Sequence, residues 1–181
     1  MNVKYYLLFL VFVPITLMGQ SGHNRLQDLL DQINETNRLI AKDEVDLSVS
    51  LDRDHRSADG ITVSEQKLHY KHALNDYLKL SVTEIDEMQT ERITDFYFSP
   101  AEQLVMADEK LEGFGRRLWL YDSDNPVEYA DIPQDVQNLN VEMVHLKQLD
   151  DREDDTADIL LKKAVDYYNA AITFRDAVAL K

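Results

Sequence analysis

Apolar positions recur along this chain mostly at steps of three and four. In the last third, Val136, Leu139, Met143, Leu146, Asp150, Glu153, Ala157, Leu160, Ala164, Tyr167, Ala171, Phe174 and Val178 follow that alternation. The spacing holds them on one stripe of an α-helix, the seam pattern of bundles and coiled coils. Two of these thirteen positions, Asp150 and Glu153, are acidic. The same pattern runs through Leu26, Leu30, Ile33, Asn37, Ile40, Glu44, Leu47 and Leu51, and a second apolar series runs through Tyr70, Leu74, Tyr77 or Leu78, Val82, Ile85, Met88, Ile93 and Phe96.

Helix-breaking residues fall between these stretches. Beyond Gly22 the only glycines are Gly60, Gly113 and Gly115, and the only prolines are Pro100, Pro126 and Pro133. The intervals predict helices over 24–56, 63–98, 101–112 and 134–181. Ser99, Pro100 and Glu102 read as the N-cap, first position and capping-box partner of the short helix. Leu146, Glu153 and Leu160 keep one heptad phase, so the last helix is expected to continue through the acidic run for about 64 Å at 1.5 Å per residue. One stretch reads two ways. Val45, Leu47, Val49 and Leu51 also alternate with polar residues, as do Ile61 and Val63, which suits a β-hairpin around 45–63; the register carried from Leu26 favours helix. The expected fold is all-α, an elongated antiparallel helical bundle of three long helices plus one short one, forming a single domain over 22–181.

Composition adds a compartment. Residues 1–21 combine Lys4, an apolar run from Tyr5 to Met18 and the small-residue end Gly19-Gln20-Ser21. That is the pattern of a signal peptide cleaved after Gly19 or Ser21, and it predicts an exported, periplasmic or secreted protein with no membrane span after cleavage. The chain has no cysteine, which excludes thiol catalysis, disulfides and a lipid-modified cysteine anchor. Its formal charge is −15, and cleavage would remove Lys4 and no acid. A surface this negative excludes nucleic acid as a partner and favours cations or basic partners.

Candidate chemistry is sparse. The chain contains no GxSxG, HExxH, Walker A or dinucleotide-binding glycine pattern, so an enzyme is not the expected reading. Glu142 and His145 form one Glu-x-x-His, and His69 and His72 lie three apart; in a bundle, such pairs can ligate metal from facing helices. With Met143 and Leu146 facing inward, however, His145 falls on the outer side. No resident cofactor is expected, apart from a divalent cation at the acidic run Asp150–Asp158, whose simpler role is a solvated helix face.

Height counting places Asn37 and Glu44 level with Asp150 and Glu153. The four are expected to form a polar mid-layer of the bundle, hydrated, cation-filled or paired with Lys79 or Arg38. Replacing both acids by leucine is then expected to raise the melting temperature. Leu118, Trp119 and Tyr121, beside Arg116-Arg117, plug the end of the bundle or else touch a membrane interface. Trp119 and Tyr121, with Tyr167 and Phe174 on an overhanging helix end, are also the candidate surface for a protein partner or a second copy. The functional expectation is an exported, non-catalytic interaction or structural module that can self-associate, with divalent-cation binding as the alternative.

Overall fold

The computed structural model describes the backbone of residues 13–44, 47–56, 62–70, 78–86, 88–111, 115–133, 136 and 138–179, and the side chains of 24–44, 67, 78–86, 88–110, 115–133, 136 and 138–173. The architecture is not an all-α bundle. An N-terminal helix α1 (Val13–Ala41) is followed by seven strands, β1 (Leu47–Arg56), β2 (Thr62–Tyr70), β3 (Leu78–Ile85), β4 (Glu91–Phe98), β5 (Leu104–Leu111), β6 (Gly115–Asp122) and β7 (Asn125–Ile132). A two-residue strand β8 (Lys147–Gln148) and the C-terminal helix α2 (Asp151–Ala179) complete the chain. The strands form one antiparallel meander in the order β1-β2-β3-β4-β5-β6-β7-β8. The helical-bundle and coiled-coil expectations are thereby corrected.

The strands are specified by features a helical count passes over. Leu78, Leu80 and Val82 alternate with Lys79, Ser81 and Thr83, and burial along β3 alternates in step, the period-two signature of a sheet with unlike faces. Strands β4 and β6 end in continuous buried runs, Thr94–Phe98 and Leu118–Tyr121. These strands are covered on both sides.

Glycine and proline mark some strand boundaries, with Pro100 between β4 and β5, Gly115 opening β6 and Pro133 following β7. The left-handed positions of three hairpins, however, fall to other residues. The β3–β4 and β4–β5 turns share one design. Asp86 N–H donates to Thr90 O (3.2 Å), Ser99 N–H donates to Gln103 O (2.9 Å), and Gln89 and Glu102 adopt left-handed φ values of 63° and 62°. These are three-residue hairpin loops with an αL residue closing them. Ser99-Pro100 thus opens a turn; the short helix expected over 101–112 is replaced by β5. A type I turn and the first turn of a helix use the same backbone angles and the same Ser and Pro preferences. The β6–β7 hairpin turns through Ser123 (φ 54°) and Asp124 (φ 62°), a two-residue turn of the primed type that matches sheet twist. The hairpin reading of 45–63 is realised by β1 and β2, whose register runs Leu47↔Tyr70 to Arg56↔Thr62.

The helical expectation holds for both termini in part. Helix α1 buries Leu26, Leu30 and Ile33, and ends in a Schellman turn. There Glu44 N–H donates to Leu39 O (2.9 Å) and Asp43 N–H to Ile40 O (3.0 Å), with Asp43 at φ 56°. Helix α2 starts at Asp151 rather than near 136. Asp150 Oδ1 accepts the Arg152 and Glu153 N–H groups at 3.0 and 3.1 Å, an N-cap that begins the helix there.

Two cores lie on opposite faces of the sheet. One joins Leu80, Phe96, Phe98, Leu104, Trp119 and Tyr121 to Ala157, Leu160, Ala164, Tyr168 and Ala171 of α2. The other joins Tyr97, Met106, Leu118, Leu120, Ala130 and Ile132 to Leu26, Leu30 and Ile33 of α1 and to Leu139 and Val144. The layers are α1, sheet, α2. The register shift beside Phe98, where Tyr97 pairs with Met106 but Phe98 with Leu104, sets Val105 and Met106 toward the same core, as a β-bulge does.

Candidate functional site

On the α1 face the sheet carries ionisable groups in neighbouring rows. Ser81, Asp95 and Asp108 pair across β3, β4 and β5, so two buried carboxylates stand side by side. Like charges directly opposite are unfavourable, and each acid has its own cations. Asp95 Oδ2 takes Lys110 Nζ at 2.6 Å and Lys79 Nζ at 3.0 Å, and its Oδ1 accepts the Ser81 hydroxyl at 2.6 Å. Burial pushes the Asp95 carboxyl up, but the Lys79 and Lys110 charges and the hydrogen bonds outweigh it and hold it at about 2. Asp108 meets Arg116 as a two-point fork, with Nε to Oδ1 at 2.6 Å, while Arg116 Nη1 also donates to Val136 O at 2.6 Å. Lys79 Nζ and the Tyr97 hydroxyl both donate to Asn37 Oδ1, at 2.9 and 3.1 Å. Burial, with the Asp95 and Asp108 charges, pushes the Tyr97 phenol well above its ordinary value. Tyr97 therefore stays a neutral donor.

These bonds fasten the C-terminal half of α1. Asn34 adds a reciprocal pair, its Nδ2 donating to Leu139 O at 2.6 Å and its Oδ1 accepting Leu139 N–H at 3.2 Å. Every polar group in the cluster has a partner of suitable type. This is a structural latch.

The middle of α1, residues 24–32, stands differently. Between it and the ends of β5, β6 and β7 lies an open groove of about 600 Å³. Its walls are aliphatic: Leu26 and Leu29 from α1, Val105 at the bulge, Leu120 from β6, Val127 from β7 and Leu146 from the segment before β8. Asn24, Arg25, Asp28, Gln32, Asp122 and Glu128 supply the polar lining. Arg25 spans the mouth to Asp122, with Nη2–Oδ1 at 2.8 Å and Nη1–Oδ2 at 3.3 Å. Glu128 Oε1 accepts Gln148 Nε2 at 2.9 Å. A cavity of this size, mostly apolar with a few polar groups, is of the kind that holds small molecules.

The chain matches no family model, no curated protein and no solved structure. Its chemistry is therefore read from this geometry.

The expected polar mid-layer is taken apart. Asn37 is half-buried and does meet Lys79, but Glu44 is exposed beyond the end of α1, 3.6 Å from Arg38. Asp150 and Glu153 belong to the start of α2, across the sheet from α1, so the four cannot share a layer. A hydrogen bond between these two carboxyls holds Asp150 below its ordinary range and lifts Glu153 above its own. The acidic run fills the first turns of α2, where the helix dipole favours negative charge.

The metal candidates do not converge either. Glu142 and His145 are exposed in the irregular segment before β8, His69 lies in β2 opposite Ser48 and Lys79, and His72 lies outside the described residues. Among the described residues no group of three or more His, Cys, Asp or Glu could hold a metal ion. Trp119 and Tyr121 are buried in the α2-side core, with the Tyr121 hydroxyl donating to Ala157 O at 2.9 Å. Tyr167 is half-buried and its hydroxyl donates to Glu84 at 2.7 Å, beside Lys163 at 2.9 Å. The side chain of Phe174 lies outside the described residues. Among the described residues no helix is long and apolar enough to cross a membrane.

The groove escaped the sequence reading because its walls come from five separate segments. One signal was present. Leu29 widens the Leu26, Leu30, Ile33 stripe beyond what a single seam uses, leaving apolar surface on one flank of α1.

Proposed function

We propose that this protein is an exported, non-catalytic binding module that takes a small, largely apolar ligand into the groove beside α1. The observation that carries this reading is the groove itself: about 600 Å³, open, and walled by leucine and valine. Solvent-facing apolar surface gathered into one concavity is unfavourable for a protein with no use for it. Two of the acids that line it are already engaged, Asp122 with Arg25 and Glu128 with Gln148, as suits groups that orient a ligand rather than transform one. Export rests on the signal pattern of residues 1–21.

Val127 is 39% exposed, so enlarging it fills the groove without disturbing the cores. Fluorescence titration with Nile red, a neutral apolar dye, is expected to saturate with the native chain. Val127→Trp is expected to abolish that signal with the melting temperature kept. Failure of the native chain to give saturable binding, or equal binding by the filled variant, overturns the proposal.

A further inference from the structure

Resting on that binding reading, we infer that the groove selects a cationic amphiphile: an aliphatic tail lying on the leucine and valine walls, with a basic head group between Asp28 and Glu128. Four charged side chains line the groove: Arg25, Asp28, Asp122 and Glu128. Arg25 and Asp122 are bound to each other across the mouth, at 2.8 Å, and cancel. What a ligand meets is the remaining pair of carboxylates, one on α1 and one on β7. Among the described residues, Glu128 is met by a neutral amide, that of Gln148.

An anionic head would face two like charges, and a neutral head would gain hydrogen bonds but no charge pairing. A cationic head supplies the missing counter-charge. It would also keep its water, because Asp28 is exposed and Glu128 is half-buried; the costly burial of a bare ion is avoided. The formal charge of −15 on the whole chain draws cations toward the surface generally. The local pair is what would place one at this groove.

The test uses the full chain and three probes with one tail, decyltrimethylammonium, decyl glucoside and decyl sulfate, each below its micelle concentration and followed by calorimetry. The cationic probe is expected to bind about tenfold more tightly than the neutral one, on the scale of two screened charge contacts, with the sulfate weakest. Asp28→Asn with Glu128→Gln is expected to erase the cationic advantage over decyl glucoside. Removing the same charge far away, by Asp155→Asn with Asp158→Asn on α2, is expected to alter the cationic affinity less than twofold. Equal affinities for the three probes, or an equal effect of the distant pair, overturn the charge selection while leaving the groove a binding site. Binding by none of the three overturns the groove as a site, and this inference with it.

Discussion

The two faces of the sheet are closed by different means. On the α2 face, large side chains from β4 and β6, Phe96, Phe98, Trp119 and Tyr121, meet small ones on the helix, Ala157, Ala164 and Ala171. Alanines let the helix approach closely, and the Phe98 and Tyr168 rings meet with centroids 4.7 Å apart and planes tilted by 35°. The polar groups there, Glu84 with Lys163 and Tyr167, are drawn inward and satisfied. On the α1 face the helix contributes Leu26, Leu30 and Ile33 to the core and is otherwise fixed by directional bonds through Asn34, Asn37 and Arg25. Area burial closes one side. A few well-aimed hydrogen bonds hold the other and leave room beside the helix. A binding groove can persist only where the covering element is not pulled down by continuous apolar contact.

That contrast gives tests of falling size. Phe98→Ala, at a residue 2% exposed, should cost about 4 kcal/mol by denaturant unfolding, the range for deleting a buried aromatic ring. Asp95→Ala should cost about 3 kcal/mol, because Lys79, 14% exposed, keeps its charge without its carboxylate. Amide exchange should then speed up in α1 and leave α2 protected. Equal acceleration in both helices would show that the two faces are not separately held.

Acid gives the third test. The folded Asp95 carboxyl titrates at about 2, below the unfolded value of about 3.9. Its contribution is thus present above pH 4 and lost as the pH falls through 2. The loss is about 2 kcal/mol by linkage, and an Asp95→Asn chain should lack that part of the slope. Last, Asp150→Ala should lower the melting temperature by about 3 °C, the usual scale for a lost N-cap in a chain of this size. A polar layer maintained against stability would have predicted a rise.

The sequence was legible where periodicity and burial agree. Leu26, Leu30 and Ile33 mark α1, and Ala157, Leu160, Ala164 and Ala171 mark α2, because each helix buries one stripe. The strands were hidden for two physical reasons. Phe96–Phe98 and Leu118–Tyr121 are buried on both faces, so they show no alternation to count. The hairpins turn at Gln89, Glu102, Ser123 and Asp124, non-glycine residues in a conformation usually signalled by glycine. The acidic run kept heptad phase with Leu146 by coincidence, and Asp150 reads as a seam residue or as an N-cap depending only on where the helix begins. Of the proposed site, single residues were visible and their assembly was not, since Leu29, Val105 and Val127 meet only through the meander.

The meander also dictates an order of assembly. Every pairing from β1 to β8 joins strands adjacent in the chain, so the sheet can zip together from neighbouring hairpins with little loop-closure entropy at each step. Helix α1 cannot join so early. Asn34 must find Leu139, 105 residues away, and that segment is in place only after β7 has formed. The first helix made is therefore among the last to dock, and docking it completes the wall of the groove.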